Sequence, residues 1–249
     1  MRSEQNKLLL DVGQATHTGK KRDKNEDSFG WFSTPLGELF IVADGMGGHN
    51  GGAIASECAV KSFYEYFNQR KGEPSELLSG ALAFAEKSVV ALGKSNTLYQ
   101  GCGTTIVVLL LSDDFAWFLH AGDSRLYIFS EGRLNQIGRD HSAVEDMLEA
   151  GLISKEEAIN YPKNIITQSL GGNINYKRCF PQKFLFNTGD KFMLCTDGLW
   201  GVINKDLLSQ TLQSADTSMD NLCKKLINMT LEYGAPDNVS VQLIKILAK

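Results

Sequence analysis

The 249-residue sequence predicts an α+β domain in which antiparallel strands and paired helices form layers. Three observations predict it. Short β-rich runs recur between polar turns, as at residues 104–111, 115–120, 126–130 and 134–137. Helical periodicity comes in two adjacent pairs, one over 54–67 and 75–92, the other over 205–213 and 219–233. No linker, repeat or shift in composition divides the chain, so residues 1–249 are read as one domain.

In order along the chain, residues 8–12 (LLLDV) form a first strand and lead into a polar, basic loop at 15–22. Asn25-Glu26-Asp27-Ser28 precedes an aromatic stretch, 29–32, and residues 35–37 turn the chain. The apolar run 39–43 (LFIVA) is a buried strand that delivers Asp44 to an edge. The glycines that follow leave room beside that carboxylate for something small and charged. Asp-Gly is also a favoured hairpin turn, but a helical pattern follows here, not a second strand. Ile54, Cys58, Ala59, Phe63 and Phe67 share one helical face. Residues 72–74 break that helix, and Ser75 is placed to N-cap the next, whose apolar face carries Leu78, Leu82, Ala85, Val89 and Leu92. Glu131-Gly132-Arg133 is a hairpin tip. Residues 140–161 read as short helices, bounded by Gly151 and Pro162. Residues 177–186 and 191–196 are strands about an Asn187-Thr188-Gly189-Asp190 turn. The second helix pair follows, and a last strand, 239–247, begins after Pro236-Asp237-Asn238.

The chain has 25 Lys+Arg against 29 Asp+Glu, a formal net charge of −4, which provides no basic footprint for nucleic acid and no preference for an anionic membrane. Five cysteines, at 58, 102, 179, 195 and 223, make no CxxC pair and no zinc spacing. Their apolar context marks buried free thiols and a reducing compartment. The polar start MRSEQNK lacks a secretory core, and the longest apolar run, 106–111, is far short of the roughly 20 residues that a membrane span needs. A cytoplasmic protein with neither a membrane nor a nucleic-acid partner is expected.

The acids carry the functional reading. Asp44 and Asp197 each leave the end of an apolar strand and are each followed by glycine, while Asp237 stands just before a strand. In an antiparallel sheet, the end of one strand lies beside the start of its neighbour, so such acids can share an edge. Asp123, in Ala121-Gly122-Asp123-Ser124-Arg125, is a further candidate, and Glu26-Asp27 supplies two more. Carboxylates gathered in this way repel and titrate abnormally unless cations sit among them. An all-oxygen set suits Mg²⁺ or Mn²⁺ and not Zn²⁺. Any one of these aspartates alone reads as a turn or cap residue; the set favours a two-metal site, which can lower the pKa of a bridging water and clamp a phosphoryl oxygen.

These residues resemble the metal-dependent Ser/Thr protein phosphatases of type 2C in their bacterial form. The motifs run in order. Thr18-Gly19 is followed by Arg22 and Asn25-Glu26-Asp27, then by Val42-Ala43-Asp44-Gly45-Met46-Gly47-Gly48-His49 and Gly103-Thr104-Thr105. Ala121-Gly122-Asp123-Ser124-Arg125, Asp140-His141-Ser142, Gly151-Leu152-Ile153, Ile166-Thr167 and Leu170-Gly171 continue the series. Gly189-Asp190, Cys195-Thr196-Asp197-Gly198-Leu199-Trp200 and Asp237-Asn238-Val239-Ser240 close it. The resemblance implies a four-layer α/β/β/α sandwich of two antiparallel sheets flanked by helix pairs, with a mobile flap at about 140–171. It implies that Asp44 bridges two Mn²⁺ or Mg²⁺ ions, that Gly45 offers a carbonyl to one, and that Asp197 and Asp237 bind the other. Glu26 and Asp27 then hold metal-bound waters, Arg22 grips the substrate phosphate, and Asp123 helps hold a weaker third ion. The alternatives are a solvated basic loop for Arg22 and a turn closed by an Asp123–Arg125 contact. The implied reaction is direct hydrolysis of phosphoserine and phosphothreonine by a metal-bridging water, opposing a cognate Ser/Thr kinase, in a monomer. The cysteine nucleophile of tyrosine phosphatases has no motif here.

The chain departs from the family at several positions. Met46 stands where eukaryotic members place a histidine proposed as general acid, which leaves that role to a bound water; His49 is read as a loop-packing residue. His17, His120 and His141 are read as structural, with His141 setting the turn into the flap. Tyr161, Lys163 and Gln168 replace residues that are usually more basic, so an altered substrate preference or flap behaviour is expected. Two other classes compete. A pseudophosphatase would lack acids, and none is missing. A nucleotide-binding module would need a G-x-G-x-x-G loop, which residues 45–51 do not spell.

Overall fold

The computed structural model describes residues 8–47, 51–112, 115–162, 165–172, 174, 179–214 and 217–249. Strands β1 (Leu9–His17), β2 (Asp27–Thr34) and β3 (Gly37–Met46) come first, followed by helices α1 (Gly51–Asn68) and α2 (Pro74–Ser95). Strands β4 (Gly103–Thr104), β5 (Ile106–Ser112), β6 (Phe115–Ala121), β7 (Arg125–Ser130) and β8 (Arg133–Ile137) come next. Helices α3 (Ala143–Glu149) and α4 (Lys155–Ala158) precede β9 (Leu170–Gly171), β10 (Gln182–Leu185) and β11 (Lys191–Cys195). Helices α5 (Asp197–Trp200), α6 (Lys205–Leu212) and α7 (Met219–Glu232) lead to β12 (Val239–Ala248).

The strands form two antiparallel sheets, as the sequence predicts. One has the order β1-β12-β11-β7-β8; the other runs β10-β6-β5-β3-β4-β9, with β2 on the remaining edge of β3. Alternation along the strands builds three apolar cores. Phe40, Val42, Val107 and Leu109 of the second sheet meet Leu126, Phe192, Leu194 and Ile244 of the first, which fills the space between the sheets. The alternate residues Leu39, Ile41, Val108 and Leu110 face outward onto Phe63, Leu78, Leu82 and Val89 of α1 and α2. Met193, Cys195, Val241 and Leu243 face outward on the other side, onto Leu199, Leu208, Leu222 and Leu226 of α5 to α7. A strand buried on both faces reads as one unbroken apolar run, which is why residues 106–111 show no alternation.

Several local expectations change. β1 runs on to His17, because its register with β12 continues through Thr16↔Ser240 and His17↔Val239; the basic loop therefore starts later than its polarity suggests. The aromatic stretch belongs to a full strand, β2, whose hairpin partner is β3. Ser75 is not the N-cap of α2: the helix starts one residue earlier, on Pro74, with Glu73 as an N-cap that makes no side-chain bond. Proline suits that first position because it has no N–H to satisfy. The run 104–111 is broken at Thr105, whose N–H donates to Asp44 O at 2.9 Å. The strand expected at 177–186 is Gln182–Leu185 among the described residues, which exclude 177 and 178. All five cysteines are free thiols. Among the described residues, no helix is long and apolar enough to cross a membrane.

Close approach, more than turn geometry, explains both Asp-Gly pairs. A Cβ on Gly45 would stand 2.2 Å from Gly52 O, and one on Gly198 would stand 1.8 Å from Asn238 O. Gly198→Ala is therefore expected to cost on the order of 2–3 kcal/mol and to lower Tm by several degrees. A thermal melt indistinguishable from wild type would contradict that packing.

Candidate active site

Register places the acids. Asp27 lies opposite Asp44 on β2 and β3. In the facing sheet, Cys195 pairs with Val241 on one side and Arg125 on the other. Asp197 lies two residues past Cys195; Asp123 and Asp237 lie two residues before β7 and β12. All leave that sheet at the same end. The two sheets are tied there by Thr196, whose Oγ1 donates to Asp27 Oδ2 at 3.0 Å and accepts from Ser240 N at 3.0 Å.

The arrangement is electrostatically costly. Loss of solvent around the carboxyl groups raises the pKa values of Asp27 and Asp123 to about 7, and the neighbouring acids add to the rise. Asp44 is pushed well above the usual carboxylate range by desolvation and then by Asp27, Asp197, Asp123 and Asp237. Asp197 is raised by desolvation and Asp237, and its carboxyl lies within hydrogen-bonding reach of that of Asp44. Two carboxyl groups in that relation share a proton or require a cation. Three carboxylate oxygens, Asp27 Oδ1, Asp123 Oδ2 and Asp197 Oδ1, are buried without a hydrogen-bond partner. Orphaned buried oxygens on crowded acids are the donor set of a hard divalent ion, so these residues fit a metal site. Among the described residues, no three His, Cys, Asp or Glu side chains already close on one point as the ligands of a single ion would.

The remaining expected residues also gather at this edge. Gly45 N donates to Glu26 O at 3.1 Å, and the Glu26 carboxylate lies against Gly52 at the start of α1. Arg22 Nη2 donates to Asp237 Oδ2 at 2.8 Å, with its side chain 55% exposed, so this guanidinium is part of the acid cluster's rim. Asp123 is buried but does not form the alternative contact with Arg125. That arginine grips Asp140 through Nε and Nη2, stacks 3.4 Å over the Trp200 ring and donates to Tyr127 Oη. Trp200 Nε1 in turn donates to Asp123 O at 3.0 Å. His141 sets the turn that follows, accepting from Gly122 N through Nδ1 and stacking on His120. Met46 pairs with Gly103 where β3 meets β4. Gln168 accepts from Cys179 Sγ at 3.6 Å, and Tyr161 is exposed. His49 and Lys163 lie outside the described residues.

Sequence reasoning gave no role to the residues that hold the acids in place. Asn238 accepts from Glu26 N and donates to Thr18 O and Lys24 O, clamping both ends of the Arg22 loop. Asn25 accepts from Asp27 N at 3.1 Å. Thr105 Oγ1 accepts from Asp44 N at 2.9 Å and bonds Ser124 Oγ at 2.6 Å. Asn25, Ser124 and Asn238 each adjoin an acid in the sequence, a signal that could have marked them; Thr105 adjoins none.

A layered sheet sandwich with an acid-lined end that fits divalent cations defines a metal-dependent hydrolase. The comparisons narrow that class. The Protein phosphatase 2C family profile matches residues 15–248. The serine/threonine phosphatase Stp of Listeria monocytogenes is 32% identical over 239 residues, covering 92% of this chain and 93% of its own. The protein phosphatase PhpP of Streptococcus pneumoniae is 32% identical over 245 residues, covering 94% and 97%. The structure of the S. agalactiae serine/threonine phosphatase superposes with a TM-score of 0.87 at 31% identity, over 96% of this chain and all of that one. The catalytic domain of the phosphatase PstP, solved with two manganese ions, does so with a TM-score of 0.83 at 27% identity, over 97% of this chain and 100% of that one. The chain belongs to the protein phosphatase 2C family and is a metal-dependent protein phosphatase.

The raised acids make stability without metal depend on pH. Asp27 and Asp123 titrate near 7 when folded, against an ordinary value of 3.8, so between those values the folded state holds more protons than the unfolded state. Stability in EDTA should therefore fall as pH rises from about 4 to about 7. Asp44→Asn removes one of the repelling groups and should flatten that fall. Thermal unfolding in EDTA at about pH 5 and about pH 7.5 checks it: relative to wild type, the variant should be the more stable at the higher value. Parallel curves for the two proteins would remove the repulsion argument.

Proposed function

We propose that the chain hydrolyses phosphoserine and phosphothreonine monoesters in proteins at the acid-lined end of the sandwich. The observation that carries this reading is the group of orphaned, mutually repelling carboxylates at that end. Asp44 is the proposed bridge between two core ions, Asp197 and Asp237 the further ligands, and Gly45 a carbonyl donor. Asp123 is the proposed ligand of a weaker third ion. Glu26 and Asp27 orient water at the site, Asp27 being itself held by Thr196 and Asn25. Mn²⁺ or Mg²⁺ held by this set would supply a water of lowered pKa and neutralise charge on the phosphoryl oxygens.

What the chain itself contributes is position. Arg22, at the rim and already beside Asp237, can offer its guanidinium to a phosphate as a two-pronged donor. The leaving alkoxide takes its proton from solvent in the site, since Met46 has none to give. Residues 140–171 form the proposed flap, anchored at its base by the Arg125–Asp140 pair and by His141 against Gly122. We infer a cytoplasmic monomer that acts opposite a Ser/Thr kinase; the likeness to Stp and PhpP supports the protein phosphatase part of this reading.

Phosphate release from p-nitrophenyl phosphate and from a phosphothreonine peptide should require Mn²⁺ or Mg²⁺ and stop in EDTA. Asp44→Asn should lower kcat by about 10²-fold or more, as loss of several kcal/mol of charge stabilisation implies. Turnover that persists in EDTA would overturn the two-ion reading. A protein that binds Mn²⁺ but turns over no phosphorylated substrate would favour the pseudophosphatase.

A further inference from the structure

Of the charged residues of α2, Glu76, Lys87 and Lys94 are exposed, while Glu86 is half-buried. Helical spacing puts Glu86 beside the buried Val89, and both meet the edge strand β9. A Cβ on Gly171 would stand 2.7 Å from Val89 Cγ1, and Gly171 N donates to Glu86 Oε2 at 2.8 Å. Loss of solvent raises the Glu86 pKa, and that N–H only partly offsets the rise. The carboxylate is therefore held here at a cost, for one hydrogen bond to a main-chain group.

What that bond holds leads back to the acid edge. β9 is the end strand of its sheet and only two residues long. Gly172 N donates inward to Cys102 O at 2.8 Å, so by the alternation of an antiparallel pair the N–H of Gly171 points off the sheet, toward α2. Gly171 is buried, and Glu86 is the partner its N–H requires. With φ of 67° at Gly171 and 71° at Gly172, the chain leaves the extended region at once, so β9 cannot lengthen to gain further ladder bonds. On its inner side β9 pairs with β4, Gly103↔Gly171 and Thr104↔Leu170. β4, also two residues long, pairs in turn with β3, Thr104↔Gly45 and Gly103↔Met46. Thr104 Oγ1 and Thr105 N each donate to Asp44 O at 2.9 Å, and Thr105 Oγ1 accepts from Asp44 N at 2.9 Å. Glu86 is the outer fastening of a small three-strand patch whose inner strand carries Asp44 and Gly45.

We propose that Glu86 is a positioning residue for the metal site: by gripping Gly171 it keeps β9 against β4, and so keeps the Asp44–Gly45 main chain where these two residues reach their ions. The proposal rests on the reading of Asp44 and Gly45 as metal ligands. Three hydrogen bonds from residues 104 and 105 set the Asp44 main chain. A two-residue strand has few bonds with which to resist displacement, so the grip on β9 from outside bears on the grip on Asp44 from inside. The role uses the acceptor oxygen of Glu86 and not its charge, so an amide at the same place serves equally.

The test uses the full chain and Mn²⁺, with the dissociation constant read from the paramagnetic resonance signal of free Mn²⁺. Glu86→Ala removes the acceptor and the side chain; Glu86→Met removes the acceptor but keeps the length, and carries the comparison where Glu86→Ala does not fold. Both should weaken Mn²⁺ binding by about fivefold, a little below the roughly 10–100-fold that follows loss of a direct partner of a ligand. Glu86→Gln should stay within about twofold of wild type, because its amide oxygen accepts the same N–H. The Mn²⁺ concentration for half-maximal turnover of p-nitrophenyl phosphate should rise in parallel, while kcat at saturating Mn²⁺ stays within about threefold. Thr230→Ala controls for lost stability alone: it removes a buried bond, Thr230 Oγ1 to Leu226 O at 2.8 Å, in the helix layer of the other sheet. It should lower Tm and leave Mn²⁺ affinity unchanged. Mn²⁺ affinity that is unchanged in Glu86→Met, or weakened as much by Glu86→Gln or Thr230→Ala, overturns the positioning role and leaves the metal-ligand reading standing. Wild type that takes up no Mn²⁺, or whose uptake Asp44→Asn leaves unchanged, strikes the metal-ligand reading itself and the proposal with it.

Discussion

Carboxyl groups from several strand ends face one another across one end of two packed sheets, and their repulsion is the constraint that the surrounding structure answers. Left to themselves, such groups would separate into solvent. Here they are fixed by register: Asp27 opposite Asp44, with Asp123, Asp197 and Asp237 each two residues beyond or before paired positions on β11, β12 and β7. Moving one acid outward means slipping a strand, and a one-residue slip would turn every apolar side chain of that strand to the wrong face. The cores between and outside the sheets therefore supply the free energy that holds the acids together.

Holding them also needs neutral hydrogen-bonding partners, and the structure supplies these in preference to cations. Thr105, Thr196, Asn25 and Asn238 bind the acids or their backbone, while Arg125 is turned away to Asp140. An arginine hydrogen-bonded directly to Asp123 would neutralise the group proposed as a metal ligand. Placed one step further out, on Asp140 and Trp200, it fixes the loop that carries Asp123 without a direct ion pair to it. Arg22 is the exception, bonded to Asp237 at the exposed rim, where the proposed phosphate contact would compete with that pair.

The sequence made the layers legible because burial on one face, or on both, leaves a periodic trace. The apolar runs ending in Asp44 and Asp197 point to one edge from the sequence alone. What remained hidden was long-range. β2 hid because Trp31 and Phe32 are adjacent and flanked by Gly30 and Ser33, which breaks the two-residue period, so only pairing with β3 completes the strand. β4 and β9 are two residues each, too short for any periodicity. The start of α2 was misplaced because Ser75 has the right chemistry for a cap while Pro74 already fixes the first helical turn. The clamp made by Asn238 spans more than 200 residues of sequence, so its place beside Asp237 does not reveal the partners it binds.

Rigid and variable parts of the site divide along the same line. The acids, their threonine and asparagine partners and the two Asp-Gly close approaches are set by strand pairing, where a change of residue disturbs the core as well as the chemistry. Met46, Tyr161 and Gln168 lie around this frame. Met46 is at the end of β3, and Tyr161 and Gln168 are in the segment after Asp140. On the proposed reading, substitution at Met46, Tyr161 or Gln168 alters what surrounds a bound phosphoprotein. Substrate choice can thus diverge within this fold while the acid edge stays as the packing of two sheets requires.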